Sequence, residues 1–410
     1  MKILMLTSYV TLKSHPEFMR NQTGFGYMVY DIAKAVAKTE NVDLLATDSR
    51  GGAFKSDSVL FLKRTWWLFV THIFQCLPLS SVRNLLSAYS EMQRGTKLRV
   101  LYYWLMTGYV RSILVRRQYD IVHIHGCSFA SELWMQVCKN CNQKYLVTLH
   151  GLNSFSNTVK LEPAGKRYER IFLKRVIDGE LSITVISTGM KRLIEKTYGV
   201  KHCNEVVVVC NAFSFPETNG MIDVRQLYGL PSYSNIIVCV GNVCERKNQG
   251  QLIRAFDLLP EDIRQQTYIL FLGKNVQMGY TIDQLSANSI WRSHFISCGI
   301  IPKDQVSCYY QQCDAVVLMS LSEGFGLSFI EGMHFGKPCL SFTDVDAYED
   351  IYHPDAMIGV NEHSDEAVAN GLVKLFLNKW NPVVICEYSR KFQSDSMAAK
   401  YISVYKRLLT

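Results

Sequence analysis

No stretch of this sequence runs through the roughly 18 uninterrupted apolar residues needed to cross a bilayer, so no transmembrane helix is expected. The opening Met1-Lys-Ile-Leu-Met-Leu-Thr-Ser8 is too short an apolar run for a signal peptide and lacks a convincing cleavage site, so it reads as a first buried strand. There is no low-complexity tract, and no internal repeat beyond two similar α/β halves. Cys138-x-x-Cys141 has no second pair at zinc-like spacing and reads as packing. The 13 cysteines are odd in number and scattered, which suits free thiols in a reducing cytosol. No nucleic-acid recognition motif is present. Acidic residues are scarce in one region above all. Between Arg50 and Arg117 only Asp57 and Glu91 stand against 11 lysines and arginines.

The chain is 410 residues long, 48% hydrophobic and 20% charged, which describes a globular protein of two ordinary domains, each able to bury a core. Its net charge of +8 is uneven. Residues 1–210 hold 28 basic against 15 acidic side chains, leaving 16 against 21 for the remainder. The basic character belongs to the first half.

The most informative stretch is Asp314-Ala-Val-Val-Leu-Met-Ser-Leu-Ser-Glu-Gly-Phe-Gly-Leu-Ser-Phe-Ile-Glu-Gly-Met-His-Phe-Gly-Lys-Pro338. Ala315–Met319 reads as a buried parallel strand. Gly324 and Gly326 then let backbone approach a ligand, and from about Leu327 the pattern turns helical until Gly336-Lys-Pro338. A strand, a glycine turn and a helix N-terminus present unpaired N–H groups at the carboxyl edge of a sheet, where anions settle. Glu323 and Glu331 frame that turn with seven residues between them, and suit sugar hydroxyls better than phosphate. A lone glycine pair would read as an ordinary turn with two solvated glutamates. The whole string resembles the Glu-x7-Glu motif of retaining glycosyltransferases of family 4, whose GT-B fold has two Rossmann-like domains.

Taken in order, the chain alternates strands and helices. Lys2–Leu6 is a strand, and a helix follows from Gly24-Phe-Gly26, with Met28, Ile32 and Val36 at helical spacing. Such an entrance can receive a phosphate, although a turn demanding glycine explains the pair nearly as well. The family carries similar glycines here, facing donor diphosphate and acceptor. Val42–Ala46 is the next strand. Arg50–Arg117 then leaves the α/β rhythm, with Trp66-Trp67, Tyr102-Tyr103-Trp104 and the basic residues Lys63, Arg64, Arg94, Lys97, Arg99, Arg116 and Arg117. It reads either as a helix pair resting on an anionic bilayer or as a core with a solvated basic face.

Tyr119–Gly126 is a strand, Ser131–Cys138 a helix, and Tyr145–Leu149 a strand that ends in His150-Gly151. His123 and His125 read as structural. His150 differs, because Thr148-Leu-His-Gly151 resembles the family's T-x-H-G segment, whose histidine lies beside the donor sugar. Glu169–Gly179 is helical, Ser182–Ile186 a strand, Ser187 caps a helix, and Val206 opens the last strand of the first domain. Asn211-Ala212 stands where the family shows Asn-Gly. Ser214–Gly220 reads as the linker. In the second half Asn235–Gly241 is a strand, followed by a turn resembling the family's Gly-Arg…Lys-Gly clamp on a nucleotide diphosphate. Lys247 matches by spacing, Asn242 stands in place of the arginine, and Arg246 is positioned to compensate. Strands at Thr267–Gly273, His294–Gly299 and from Pro338, and helices to Gln312, over Asp365–Leu377 and over Ser394–Leu409, complete the reading.

The expected fold is therefore α/β of the GT-B type, two Rossmann-like domains facing across a cleft. An acceptor-side domain spans 1–213, a nucleotide-sugar-binding domain spans 214–393, and the helix of 394–410 packs back on the first. The resemblance implies a retaining transfer of sugar from a nucleotide-sugar to an acceptor hydroxyl. It assigns His150, Glu323 and Lys247 to catalysis. Donor binding falls to Gly24, Gly26, Gly241, Asn242, Arg246, Lys247, Gly324, Phe325, Gly326, Leu327 and Glu331. No metal or other cofactor and no nucleic acid is expected. By analogy with relatives the resemblance implies a glycan acceptor, polyprenyl-linked, and the expected setting is a cytoplasmic protein at an anionic membrane surface. A catalytically silent nucleotide-sugar-binding subunit and a transferase with a soluble acceptor are the alternatives.

Overall fold

Segments such as Ile3-Leu-Met-Leu6 and Ile236-Ile-Val-Cys239 have no polar face, and strands of this kind must be covered on both sides. They form the middles of two sheets. The computed structural model describes residues 1–12, 14–19, 24–48, 50–81, 94–152, 169–170, 172–175, 182–199, 206–212 and 222–410. The chain divides into one unit of Met1–Phe213 with Ser394–Thr410 and a second of Ser214–Gln393.

The first unit holds β1 (Lys2–Thr7), α1 (Gly24–Val36), β2 (Asn41–Ala46), β3 (Phe54–Ser56), β4 (Val59–Phe61), α2 (Trp66–Thr71) and α3 (Arg94–Arg117). These are followed by β5 (Ile121–His125), α4 (Phe129–Asn140), β6 (Tyr145–Leu149), β7 (Ile183–Val185), α5 (Thr188–Tyr198) and β8 (Val206–Val208). Its sheet runs β3-β4-β2-β1-β5-β6-β7-β8 and is parallel except for the β3–β4 hairpin. Asp57 and Ser58 turn that hairpin with positive φ at both positions, the geometry that matches strand twist. Tyr30 on α1 donates to Asp57 at 2.6 Å and holds the turn against the helix.

The second unit holds β9 (Asn235–Val240), α6 (Gln249–Asp257), β10 (Thr267–Leu272), β11 (Phe295–Gly299), α7 (Lys303–Gln312) and β12 (Ala315–Leu318). After these come α8 (Leu327–His334), β13 (Cys339–Phe342), β14 (Met357–Val360), α9 (Asp365–Leu377) and α10 (Pro382–Ser389). Its order, β11-β10-β9-β12-β13-β14, is parallel throughout. Both sheets are Rossmann-like. In each, the strand order reverses direction beside the first strand, β1 against β5 and β9 against β12, and crossovers diverge there to leave the carboxyl ends open.

The local signals translate directly. Met28, Ile32 and Val36 are buried along α1, and Ser187 accepts from the Met190 N–H to cap α5. Ser364 caps α9 in the same way. The terminal helix α11 (Ser394–Leu409) packs on α1 and buries Tyr401 and Tyr405 completely. Strands β3, β4 and β14 carry no strong periodicity and are legible only from pairing. The proposed linker 214–220, and 176–179 of the helix read from Glu169, lie outside the described residues.

Arg50–Arg117 resolves into two different surfaces. Tyr102, Tyr103 and Trp104 point inward, donating to Thr47 O at 2.6 Å, Asp48 Oδ1 at 3.0 Å and Leu77 O at 2.7 Å. Arg64 corrects the expected basic face. It is 1% exposed, its guanidinium lies 4.5 Å over the Phe18 ring, and Nη1 donates to Ala46 O. Burial lowers its pKa to about 10. Arg117 is half-exposed but bonds Asp43 at 2.9 Å. Lys63, Arg111 and Arg116 remain exposed, as do Trp67 and Phe74. The side chains of Trp66, Arg94, Lys97 and Arg99 lie outside the described residues. Among the described residues no helix is long and apolar enough to cross a membrane.

Gly332 shows how closely α8 seats on β12. A Cβ there would lie 2.4 Å from Val316 Cγ2 and 3.2 Å from Val316 Cβ, a branched side chain with little freedom to move. The helix-propensity gain of Gly332→Ala, about 1 kcal/mol, is smaller than overpacking losses of about 1–3 kcal/mol. Gly332→Ala is therefore expected to lower the melting temperature by several degrees. An unchanged or raised Tm in calorimetry would contradict this tight seating.

Candidate active site

The second unit's site grows from the reversal at β9 and β12. Gly241 directly follows β9, and a Cβ there would come within 3.0 Å of Lys247 Cε, so glycine leaves the passage that the lysine stem fills. Asn242 is exposed, and its carbonyl accepts from Gln249 Nε2 at 3.1 Å. A single tight turn, Glu245–Lys247, then presents Arg246 and Lys247 toward the loop after β12. Lys247 is buried, and its ammonium donates to Glu323 Oε2 in an ion pair. Arg246 Nη1 donates to Ser322 O at 2.8 Å and stands 3.8 Å from the same carboxylate, while Leu321 N–H donates to Arg246 O.

Charge and burial compete at Glu323. Burial pushes its carboxyl upward, and the Lys247 and Arg246 cations more than offset that, holding it below the usual carboxylate range. It is an ionised carboxylate beside two cations. The loop continues through Gly324 and Phe325, whose ring is buried against Phe392. Gly326 has φ +71° and precedes α8, a conformation that favours glycine. It leads straight into the first turn at Leu327. Glu331 lies one turn further on and accepts from the buried Tyr310 hydroxyl at 2.8 Å, a hydroxyl whose pKa burial and Glu331 push far up. Tyr310 thus aims one carboxylate oxygen.

Asp346 was not singled out by sequence. It follows β13 at the carboxyl edge of the sheet, and burial together with the Glu323 charge pushes it up to about 6. Its place just beyond a strand adjoining β12 is the signal that could have found it.

The first unit's residues also gather at its reversal. His150 follows β6, with its Nε2 3.2 Å from His125 Nδ1 at the end of β5. Phe25 sets its ring edge-on to His150 at 5.0 Å between centroids. Burial pushes His150 down to about 3, so the imidazole is neutral. Gly26 O accepts the Thr11 N–H at 3.1 Å, and a Cβ on Gly26 would strike Thr11 Oγ1 at 2.3 Å, so the first turn of α1 requires glycine where the loop after β1 crosses it. Gly24 faces open space. His123 and His125, read as structural, are fully buried, and His125 contacts His150 directly. Among the described residues no three or more His, Cys, Asp or Glu side chains are arranged to hold a metal.

The raised acid at Asp346 has a definite pH signature. A carboxyl lifted from 3.8 to about 6 on folding favours the folded state fully below the lower value and loses that preference as pH climbs through the higher one. At pH 7.5 the folded protein holds an ionised, half-buried carboxylate within the field of Glu323, and Asp346→Asn relieves it. The substitution is expected to stabilise by on the order of 1–3 kcal/mol at pH 7.5 and by clearly less at pH 4.5. Equal gains at both pH values in thermal melts would place Asp346 outside this titration.

Known proteins match both units. The family described as Glycosyltransferase Family 4 matches residues 23–214, and Glycosyl transferases group 1 matches residues 222–392. The serotype-specific mannosyltransferase WbdA of Escherichia coli is 30% identical over 145 residues, 35% of this chain. That match spans only 17% of WbdA's length. The O-antigen chain mannosyltransferase B of E. coli is 21% identical over 272 residues, 65% of this chain and 71% of that protein. Among solved structures, Anabaena HepE in complex with UDP and glucose superposes with a TM-score of 0.69 at 15% identity, covering 99% of this chain and 100% of HepE. With both units matched and the fold shared along its length, the chain belongs to glycosyltransferase family 4, the group 1 glycosyl transferases, and has the GT-B fold.

Proposed function

We propose that this glycosyltransferase moves a sugar from a nucleotide-sugar to an acceptor hydroxyl with retention at the anomeric carbon and without a bound metal. The observation that carries this reading is the Arg246–Lys247–Glu323 cluster at the β9/β12 reversal, beside the N-terminus of α8. A departing nucleoside diphosphate develops negative charge, which Lys247, Arg246 and the N–H groups of Gly324–Leu327 stabilise electrostatically. Glu331, aimed by Tyr310, takes the ribose hydroxyls, and Glu323 takes hydroxyls of the donor sugar. His150, neutral by burial, positions that sugar. UDP and glucose in the HepE structure support a nucleotide-sugar donor, and the mannosyltransferase names of two relatives support surface-polysaccharide assembly. Arg246 already serves the turn in which Asn242 replaces an arginine, which favours a working transferase over a silent subunit.

The ion pair makes the mutational test specific. Lys247→Ala leaves the largely buried Glu323 carboxylate with Arg246 as its one cation and is expected to destabilise by about 1–3 kcal/mol, a loss that adding Glu323→Gln largely reverses. Diphosphate affinity should stay weak in both, because the cation is gone. Glu323→Gln or Glu331→Gln alone should keep the fold and lower transfer by roughly ten- to a thousandfold. Transfer should survive excess EDTA. Near-wild-type turnover in both glutamine variants, or activity abolished by chelation and restored by Mg²⁺, would overturn this site.

The protein works as a peripheral enzyme at the cytoplasmic face of a membrane, on a lipid-linked acceptor. Phe74 is 99% and Trp67 73% exposed, with Leu79 and Leu98 also open to solvent, in the segment that carries the basic excess. Each cation at an anionic surface adds on the order of 1 kcal/mol. Flotation should recover the protein with anionic vesicles at low salt, less at high salt, and less again for a Trp67→Ser/Phe74→Ser/Lys63→Gln/Arg116→Gln variant. Equal recovery with neutral and anionic vesicles, or none with either, would point instead to a soluble acceptor.

A further inference from the structure

Three histidines lie close together, His123 in the middle of β5, His125 at its carboxyl end and His150 just after β6, and each is constrained differently. His123 is fully buried, with both ring nitrogens bonded to hydroxyls: Nδ1 to Tyr405 of α11 at 2.7 Å and Nε2 to Thr148 at 2.6 Å. A hydroxyl can donate or accept, so these bonds satisfy either tautomer. Thr148 continues to Thr184 at 2.5 Å. The His123 and His125 rings lie 4.0 Å apart between centroids.

His125 has less latitude. It is 2% exposed, its Nδ1 faces His150 Nε2 at 3.2 Å, and its Nε2 is buried with no hydrogen-bond partner among the described residues. Burial lowers all three imidazoles well below the ordinary histidine range, so each ring carries one proton. A proton on His125 Nε2 would be an orphaned, buried N–H, one of the rarest groups in folded proteins. A bare nitrogen there forfeits less. The proton therefore belongs on Nδ1, which can only donate, and the atom it meets, His150 Nε2, must accept.

We propose that His125 is a positioning residue that locks His150 into the Nδ1–H tautomer, so that His150 meets its substrate as a hydrogen-bond donor and not as a proton acceptor. Nδ1 of His150 bonds no other described residue. It would donate to a hydroxyl or ring oxygen of the transferred sugar, the interaction that holds a neutral, electron-rich oxygen in place while the anomeric bond to phosphate breaks. The tautomer stands on the first unit's geometry alone. The donation to sugar rests on the function proposed above.

Nitrogen-15 NMR of histidine-labelled protein at pH 7, with His150 assigned by subtraction of a His150→Gln spectrum, reads the tautomer directly. Wild type is expected to show His150 protonated at Nδ1 and bare at Nε2. His125→Leu should release it toward the Nε2–H form preferred by free histidine, with transfer down about tenfold or more. His125→Asn, whose side-chain N–H can take the place of Nδ1–H, should restore both the Nδ1–H signal and most of the turnover, provided melts show all variants folded. His150 protonated at Nε2 in wild type would overturn the proposal whatever the kinetics. So would the same tautomer and turnover in the Leu and Asn variants. A correct tautomer with transfer unaffected by His150→Gln would keep the lock and reject only the sugar contact.

Discussion

Parallel strand pairing is the constraint from which the rest follows. A strand such as β1 or β9 is hydrogen-bonded on both edges and apolar on both faces, so it must lie inside a sheet covered by helices. Each connection between parallel neighbours then has to cross over, and crossovers leaving a first strand in opposite directions open a gap above its end. The candidate site residues of this protein stand at those gaps. His125 and His150 end adjacent strands of one sheet, and Gly241–Lys247 and Ser320–Gly326 end adjacent strands of the other.

Burial at such a gap decides how charges behave. Glu323 stays ionised because two cations more than offset its desolvation, whereas at Asp346 burial and the Glu323 charge act together and it gains a proton more easily. Burial keeps the histidines of the other unit neutral, with no opposite charge to hold a proton among the described residues. Each unit thus solves the same problem, polar groups near a dry sheet edge, by a different device. One uses ion pairing and the other a hydrogen-bonded relay of uncharged rings.

Much of this was legible in residue order. Strand, glycine turn and helix around Glu323 follow from an apolar run, two glycines and a change of period, and the structure matches them closely. The terminal helix was likewise plain from its Tyr401, Val404 and Tyr405 stripe. Three kinds of feature were not. The β3–β4 hairpin is built from three-residue strands, too short for alternation to register. Arg64 looks like any other cation in a basic stretch, and only tertiary packing under Phe18 makes it a core residue. Asp346, Tyr310 and His125 act through neighbours distant in the chain, and a single sequence holds no record of which side chains will meet. That is why the family resemblance located the turn but not the groups that tune it.

The return of the terminal helix has a consequence for biosynthesis. Tyr405 bonds His123, and Tyr401 and Tyr405 fill space against the first sheet, yet both residues are made after every residue of the second unit. While the ribosome is still extending the chain, the first-made unit lacks the helix that packs on α1, and His123 lacks one of its two partners. The later-made unit is contiguous and can close as soon as it emerges, so order of synthesis and order of completion are inverted. Until its final turns appear, the nascent protein carries a finished second domain and an unfinished first one, the state in which a chaperone has most to hold.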